Sequence, residues 1–214
     1  MRTKGGVDRY YELVHQIQEA RSQDRHPEAL VLSLEALRYL TALVRWSVKE
    51  FGRWDIPSVP PIAWACDYLA ALQRRDELER VRTLLRSIPE LADWQKTVDY
   101  AFERVDLMGR VEKFLREKAG TLQKDMGREL GVDGREVSNL LHYARLIGVI
   151  RREPEGKSYR LYFEESPLAT TNLQALSHPA ADSAPEPTMG KRPSGCATAL
   201  LAAIASALRD TLTR

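Results

Sequence analysis

Cysteine and histidine are scarce in this sequence. Its 214 residues include two cysteines and four histidines, and none of them shows the spacing of a zinc site. Cys66 lies in an apolar helical stretch and Cys196 in a tail of small residues. We expect two buried thiols instead of a disulfide. The sequence therefore predicts no metal site and no cofactor.

Long apolar stretches are also lacking. The stretch 63–72 is interrupted by Asp67, and no segment reaches the roughly 20 apolar residues of a membrane span. The first residues include Arg2 and Lys4, but the apolar segment of a signal peptide does not follow them. We therefore expect a cytoplasmic protein with no membrane partner.

Catalytic motifs are not recognisable either. The sequence has no Ser/His/Asp arrangement, no Cys-x-x-Cys pair and no glycine-rich dinucleotide motif. Gly156-Lys157-Ser158 is similar to the end of a phosphate-binding loop, but Arg151 stands where that loop requires a glycine. We expect that the protein is not an enzyme.

Charge is distributed unevenly along the chain. The whole sequence has 32 basic and 30 acidic residues, a net charge of +2. Residues 109–163 contain 12 basic and 8 acidic residues, a net charge of +4, whereas the segments before and after them each carry −1. This asymmetry is typical of a nucleic-acid-binding module attached to nearly neutral domains.

The first 108 residues have only helical periodicity. It predicts helices over residues 7–21, 26–51, 62–73, 76–87 and 89–106. Two helix pairs, 14–37 and 63–85, resemble tetratricopeptide hairpins, and an ordinary antiparallel helical bundle is the alternative. All four tryptophans fall in this half, where they would belong to the core or line a ligand pocket: Trp46, Trp54, Trp64 and Trp94.

Residues 122–140 have the pattern of two short helices that cross at a steep angle. Gly127 supplies a small residue where the backbones approach, and Gly131 suits a turn that needs a positive φ. Asp133 and Glu136 have the spacing of a capping box at the start of the second helix. Apolar residues suited to fill the space between the helices are Met126, Leu130, Val132, Val137 and Leu140.

The flanking segments extend this pattern. A helix is predicted over residues 110–119, and Gly148 is suited to end the helix over 134–146. A strand then begins at Val149, a turn covers residues 153–157, and a second strand covers 158–163. The predicted fold is therefore mainly α, with a helical N-terminal half followed by helices and a small β-hairpin.

Residues 109–163 resemble the winged helix-turn-helix superfamily of bacterial and archaeal regulators. The resemblance implies that the helix over 134–146 lies in the DNA major groove and that the hairpin touches the DNA backbone or the minor groove. Glu153 and Glu155, predicted at the tip of the hairpin, would repel phosphates.

Helical geometry selects the residues that would contact DNA. Val137, Leu140, Leu141 and Ala144 form a stripe that we expect to be buried, and the opposite face would be exposed. Arginine suits the edge of guanine and asparagine the edge of adenine. The candidates for contact with bases or phosphates are Lys124, Arg128, Arg135, Ser138, Asn139, His142, Arg151, Arg152, Lys157 and Arg160.

Four segments follow from these patterns. Residues 1–108 would be an interaction and dimerisation domain, 109–163 the winged helix-turn-helix, 164–193 a linker, and 194–214 an amphipathic helix or a disordered tail. The expected function is that of a transcriptional regulator that binds double-stranded DNA as a homodimer. The alternative is a scaffold protein with a protein partner, since helical repeats followed by a winged helix also resemble the PCI architecture.

Overall fold

The computed structural model describes residues 2–56, 58–166 and 168. They form a mainly helical fold with one small antiparallel sheet, which confirms the predicted class. The α-helices are α1 (Arg2–Ser22), α2 (His26–Leu37), α3 (Leu40–Phe51), α4 (Pro60–Ala71), α5 (Arg75–Arg86), α6 (Gln95–Glu117), α7 (Gln123–Leu130) and α8 (Gly134–Leu146). A 3-10 helix covers Pro89–Trp94, and the strands are β1 (Thr121–Leu122), β2 (Ile150–Glu155) and β3 (Ser158–Phe163).

Two further predictions concern membrane spans and the C-terminal segment. No helix within the described ranges is long and apolar enough to cross a membrane. The predicted C-terminal helix over 194–214, with Cys196, lies outside the described residues, as does most of the predicted linker over 164–193.

The helix predicted over residues 26–51 is in fact two helices. Arg38 and Tyr39 form a tight turn, in which their amides donate to the carbonyls of Glu35 at 3.1 Å and Ala36 at 3.0 Å. No glycine or proline marks the break. Because α2 contacts both α1 and α4 while α3 contacts α1, the turn lets each short helix bury its own apolar face.

The helices predicted over 89–106 and 110–119 are also different in the structure. Residues 89–94 form the 3-10 helix, and α6 then continues without interruption through position 108, where we placed the boundary between the two halves. Met108 and Val111 are both buried in the same apolar core. The helical half and the following segment therefore share a helix.

Glycine ends both α7 and α8. At Gly131, φ is +66°, and the amide of Val132 donates to the carbonyl of Gly127 at 2.9 Å. The same arrangement of hydrogen bonds ends α8 at Gly148, where φ is +72°. A side chain with a Cβ rarely adopts such a φ, so glycine closes both helices. The predicted roles of both residues are confirmed.

The sheet has the order β1-β3-β2, with antiparallel neighbours. The two-residue strand β1 was not predicted; its Thr121 pairs with Leu161 of β3. The hairpin turn consists of Gly156 and Lys157 alone, because Glu155 already pairs with Ser158. The prediction that Glu153 and Glu155 lie at the tip is therefore wrong: both belong to β2.

Helix α4 packs against α8 and connects the two halves of the chain. The rings of Tyr68 in α4 and Tyr143 in α8 meet edge to face, with centroids 5.6 Å apart. Tyr68 Oη also lies 2.8 Å from Nδ1 of buried His26. Burial raises the pKa of Tyr68 to about 12. A hydrogen bond and an aromatic contact thus link α2 through α4 to α8.

The tryptophans and the described cysteine belong to the core region. Burial raises the pKa of the Cys66 thiol to about 12, so this thiol is protonated, as expected for a buried and free cysteine. All four tryptophans are partly buried and pack against the core: Trp46, Trp54, Trp64 and Trp94.

Candidate nucleic-acid interface

The crossing of α7 and α8 depends on close backbone contact. A Cβ placed on Gly127 would lie 2.9 Å from Cα of Gly134 and 3.1 Å from the carbonyl oxygen of Val132. No side chain fits there without a shift of the backbone. The predicted role of Gly127 as the small residue at the crossing is confirmed.

The start of α8 differs in one detail from the prediction. The carboxylate of Asp133 caps the helix by accepting from the amide of Arg135 at 2.7 Å. A capping box would place that bond on the amide of Glu136, one residue later. The cap is confirmed, whereas the reciprocal arrangement with Glu136 is not formed.

The two faces of α8 are as predicted. The apolar stripe of Val137, Leu140, Leu141 and Ala144 is buried. Of the candidate contact residues on the other side, three are exposed and one is partly buried: Arg135, Asn139, His142 and Ser138. Gln123 donates to the hydroxyl of Ser138 at 3.3 Å, which holds that hydroxyl against α7. The exposed face therefore offers an arginine, an amide and an imidazole.

The two candidates on α7 differ in their ion pairs. Lys124 is exposed and has no carboxylate partner in the part of the chain that the structure describes. Arg128 is also exposed, but its guanidinium lies 3.1 Å from Asp125 and 3.6 Å from Glu129. A phosphate would compete with two carboxylates for Arg128 but with none for Lys124.

Two hairpin arginines are occupied by carboxylates. Arg151 pairs with Glu153 and, at 2.6 Å, with Glu164. Arg160 pairs with Glu155 and donates to the carbonyl of Gly120 at 2.9 Å. The acidic residues that were expected to repel phosphates are thus neutralised by neighbouring arginines, and these arginines are correspondingly less available to DNA.

The other two hairpin candidates are different. Lys157 lies in the two-residue turn, exposed and without an ion pair among residues 2–56, 58–166 and 168. Arg152 is partly buried and its guanidinium lies over the Tyr159 ring, 5.8 Å from the centroid. Burial and the nearby charge of Arg145 lower the pKa of Arg152. Of these two cations, Lys157 is therefore the more accessible.

His142 lies in a positive environment. Burial lowers its pKa, and the charges of Arg145, Arg152 and Arg21 lower it further. Its imidazole is consequently neutral at pH 7, with one donor and one acceptor nitrogen. Since a bound phosphate would favour the charged imidazole, binding there would be linked to proton uptake.

Two cations beside His142 were missing from the sequence prediction. Arg145 is exposed in the last turn of α8, three residues beyond His142, so helical periodicity was a sufficient signal for it. Arg21 belongs to α1, and its charge reaches His142 only because α1 is brought near α8 by the fold. No pattern in the sequence connects Arg21 with this surface.

Comparison with known proteins adds no assignment. Family models, curated protein sequences and solved structures give no match to this chain. Within the described residues, no three His, Cys, Asp or Glu side chains are grouped as metal ligands.

Proposed function

We propose that the C-terminal part of the described chain is a winged helix-turn-helix and that the protein binds double-stranded DNA. The order of elements from α6 through β1, α7 and α8 to the β2–β3 hairpin supports this proposal. The three-stranded sheet in the order β1-β3-β2 and the close approach of α7 to the start of α8 at Gly127 are further support.

The observation that carries the proposal is the exposed face of α8. Arg135 and Asn139 project from a helix whose opposite face is buried. Arginine and asparagine are the side chains best suited to the edges of guanine and adenine in the major groove. Lys124 on α7 and Lys157 at the hairpin turn are unpaired cations in the described structure that suit phosphates on either side.

In this proposal the protein is a sequence-specific transcriptional regulator that acts in the cytoplasm. Regulators of this kind usually double their DNA contacts by symmetry, so we infer a homodimer formed through the helical half, in which the helix pairs resemble tetratricopeptide hairpins. Two α8 helices would then lie roughly 34 Å apart on the DNA, or a multiple of that distance. The proposal includes no catalytic activity.

A scaffold function is the second candidate, favoured by the packing of α8. One side of α8 is covered by α4 through the contact of Tyr143 with Tyr68. Arg151 and Arg160 are already paired with carboxylates. A winged helix with one flank covered and half its hairpin cations neutralised fits a protein partner as well as DNA.

DNA binding by the full chain separates the two candidates. Fluorescence anisotropy or gel shift would be measured with a library of genomic fragments at two salt concentrations, with excess random DNA as competitor. A regulator is expected to retain a subset of fragments, with affinity falling steeply as salt increases. If no fragment is bound even at low salt, the scaffold function replaces the DNA-binding one.

Light scattering of the full chain tests the homodimer inference. A mass of twice 24.3 kDa is the expected result. A monomer at the concentrations where DNA is bound would exclude the symmetric arrangement and would strengthen the scaffold candidate.

A further inference from the structure

Three arginines from distant parts of the chain converge beside α8. Arg21 lies in the last turn of α1, Arg145 in the last turn of α8, and Arg152 in β2. The charge of each lowers the pKa of His142, and the charge of Arg145 also lowers the pKa of Arg152. The packing connects the same residues: Arg21 lies over the ring of Trp64 in α4, and Tyr68, one turn further along α4, contacts Tyr143 beside His142. Strand β2, which holds Arg152, packs against α8. These three residues are the arginine cluster.

The cluster has buried donors without acceptors. Nη1 of Arg21 and Nε and Nη2 of Arg152 are buried and have no hydrogen-bond partner in the described structure. Arg21 stacks over the Trp64 ring at 4.6 Å, and Arg152 over the Tyr159 ring at 5.8 Å. Stacking on an aromatic ring orients a guanidinium. The N–H groups point outwards in the plane of the guanidinium, however, so the ring below it does not accept hydrogen bonds from them. Buried N–H groups without acceptors are costly, so these donors are suited to an external acceptor.

Carboxylates do not neutralise the cluster. Within residues 2–56, 58–166 and 168, no Asp or Glu lies at ion-pair distance from Arg21, Arg145 or Arg152. Asp67 acts on His142 from α4, but its carboxylate is bound to Arg104. The contrast with the paired Arg151, one residue before Arg152, shows that pairing is specific to one face of β2.

We propose that the arginine cluster binds a phosphate group. Guanidinium groups present planar pairs of N–H donors that match phosphate oxygens, and several of them together compensate a charge of −2. The phosphate would come either from the DNA backbone beside α8 or from a free phosphate ester. The site would join α1 to α8 and β2, so it extends beyond the proposed DNA-binding surface of α7, α8 and the hairpin turn. Binding of a free phosphate ester at this site does not require DNA binding.

Titration of the full chain with pyrophosphate tests the free source of phosphate. Trp64 lies under Arg21, so tryptophan fluorescence reports occupancy, and NMR of the imidazole reports the pKa of His142. Saturable binding with a rise in that pKa is expected. Arg21→Gln and Arg152→Gln should each weaken binding about tenfold or more. Arg86→Gln, at an exposed position on α5, is the matched control and should leave binding unchanged.

Protein folding is checked for each variant by circular dichroism and thermal melting. Arg145 is exposed, so Arg145→Gln provides a third test if either partly buried arginine proves necessary for folding. The ionic strength is held constant with chloride throughout, because general screening would otherwise resemble a loss of binding.

The second arm uses DNA and separates the two sources. If a backbone phosphate is bound, Arg21→Gln and Arg152→Gln should each reduce the slope of log affinity against log salt by about 1. Such a change without pyrophosphate binding supports the cluster with DNA as the source. Pyrophosphate binding by a chain that binds no DNA supports the cluster and rejects the DNA-binding proposal. Absence of pyrophosphate binding, together with an unchanged slope or with no DNA binding at all, overturns the cluster.

Discussion

Gly127 of α7 lies directly against Gly134 of α8, with only 2.9 Å between the position of a Cβ on the first residue and Cα of the second. The contact is asymmetric. A Cβ on Gly134 would have no heavy atom within 4 Å. Gly127 is therefore a position where an added methyl group should affect stability, and Gly134, on the neighbouring helix, is its control.

Gly127→Ala should destabilise the protein, because the added methyl group would lie too close to backbone atoms of Gly134 and Val132 and the backbone would have to shift. We expect a loss of about 1–3 kcal/mol in the free energy of unfolding, measured by chemical denaturation of the full chain. Gly134→Ala should change it by no more than about 0.5 kcal/mol. Equal stability of the two variants would contradict the crossing described for α7 and α8.

The buried ion pair between Asp67 and Arg104 allows a second prediction. The Arg104 side chain is 6% exposed and that of Asp67 is 22% exposed. Asp67→Ala leaves the guanidinium buried without its carboxylate and should cost about 3 kcal/mol or more. Thermal melting would be compared with Asp106→Ala, which breaks the exposed pair with Arg75 and should cost at most about 1 kcal/mol.

Replacement of both charges distinguishes the loss of the pair from the loss of packing. In the Asp67→Ala background, Arg104→Met removes the unpaired charge, so part of the lost stability should return. If the double variant is less stable than the unaltered chain by the sum of the two single effects, the two residues act independently.

Local backbone chemistry made the α7–α8 segment predictable. Gly127, Gly131 and Asp133 were identified because each meets a requirement of the chain within a few residues of itself: a close approach, a positive φ and a helix cap. The break at Arg38 and Tyr39 has no such local signal, since it arises from the packing of α2 and α3 against different neighbours.

The candidate site was predictable only in part. Arg135 and Asn139 follow from helical periodicity, which also gave sufficient information for the missed Arg145. The pairing of Arg151 with Glu153 follows from the period of two in a strand. It could not be predicted, because we expected a turn at residues 153–157, whereas β2 continues to Glu155. Arg21 depends on contacts between distant helices, so tertiary structure is required to find it.

The stability of the fold should depend on pH through His26. Burial lowers its pKa, with partial opposition from Asp24 and further lowering by Arg21 and His142. The unfolded chain therefore binds a proton more readily, with a pKa of about 6.5. The free energy of unfolding should be constant above that pH and fall as the pH decreases below it.

The matched variants are His26→Gln and the exposed His15→Gln. His26→Gln loses the contact with Tyr68 and lowers stability at pH 7, but its stability should vary less between pH 7 and pH 5 than that of the unaltered chain. Part of the variation remains, because the pKa of His142 is lowered as well. An unchanged pH profile in His26→Gln would show that His26 does not titrate with folding.

The exposed face of α8 makes the prediction that is most specific to DNA recognition. Arg135→Ala and Asn139→Ala should each cost roughly 1–3 kcal/mol in binding to a fragment selected from genomic DNA. Neither side chain has an ion pair or a side-chain hydrogen bond in the described structure, so truncation should leave the fold intact. Fluorescence anisotropy would compare the selected fragment with a scrambled one of equal length.

Lys96→Ala is the control for general electrostatic effects. Lys96 is an exposed cation in the first turn of α6, at the opposite end of that helix from the sheet. Its removal should not appreciably change the affinity for either fragment.

Lys124→Ala should weaken binding to the selected and scrambled fragments by the same factor, as expected for a phosphate contact. Base reading requires instead that Arg135→Ala and Asn139→Ala lower affinity for the selected fragment far more than for the scrambled one. If both fragments lose affinity equally in these two variants, α8 contacts only the backbone, and sequence specificity must come from the hairpin or from the shape of the DNA.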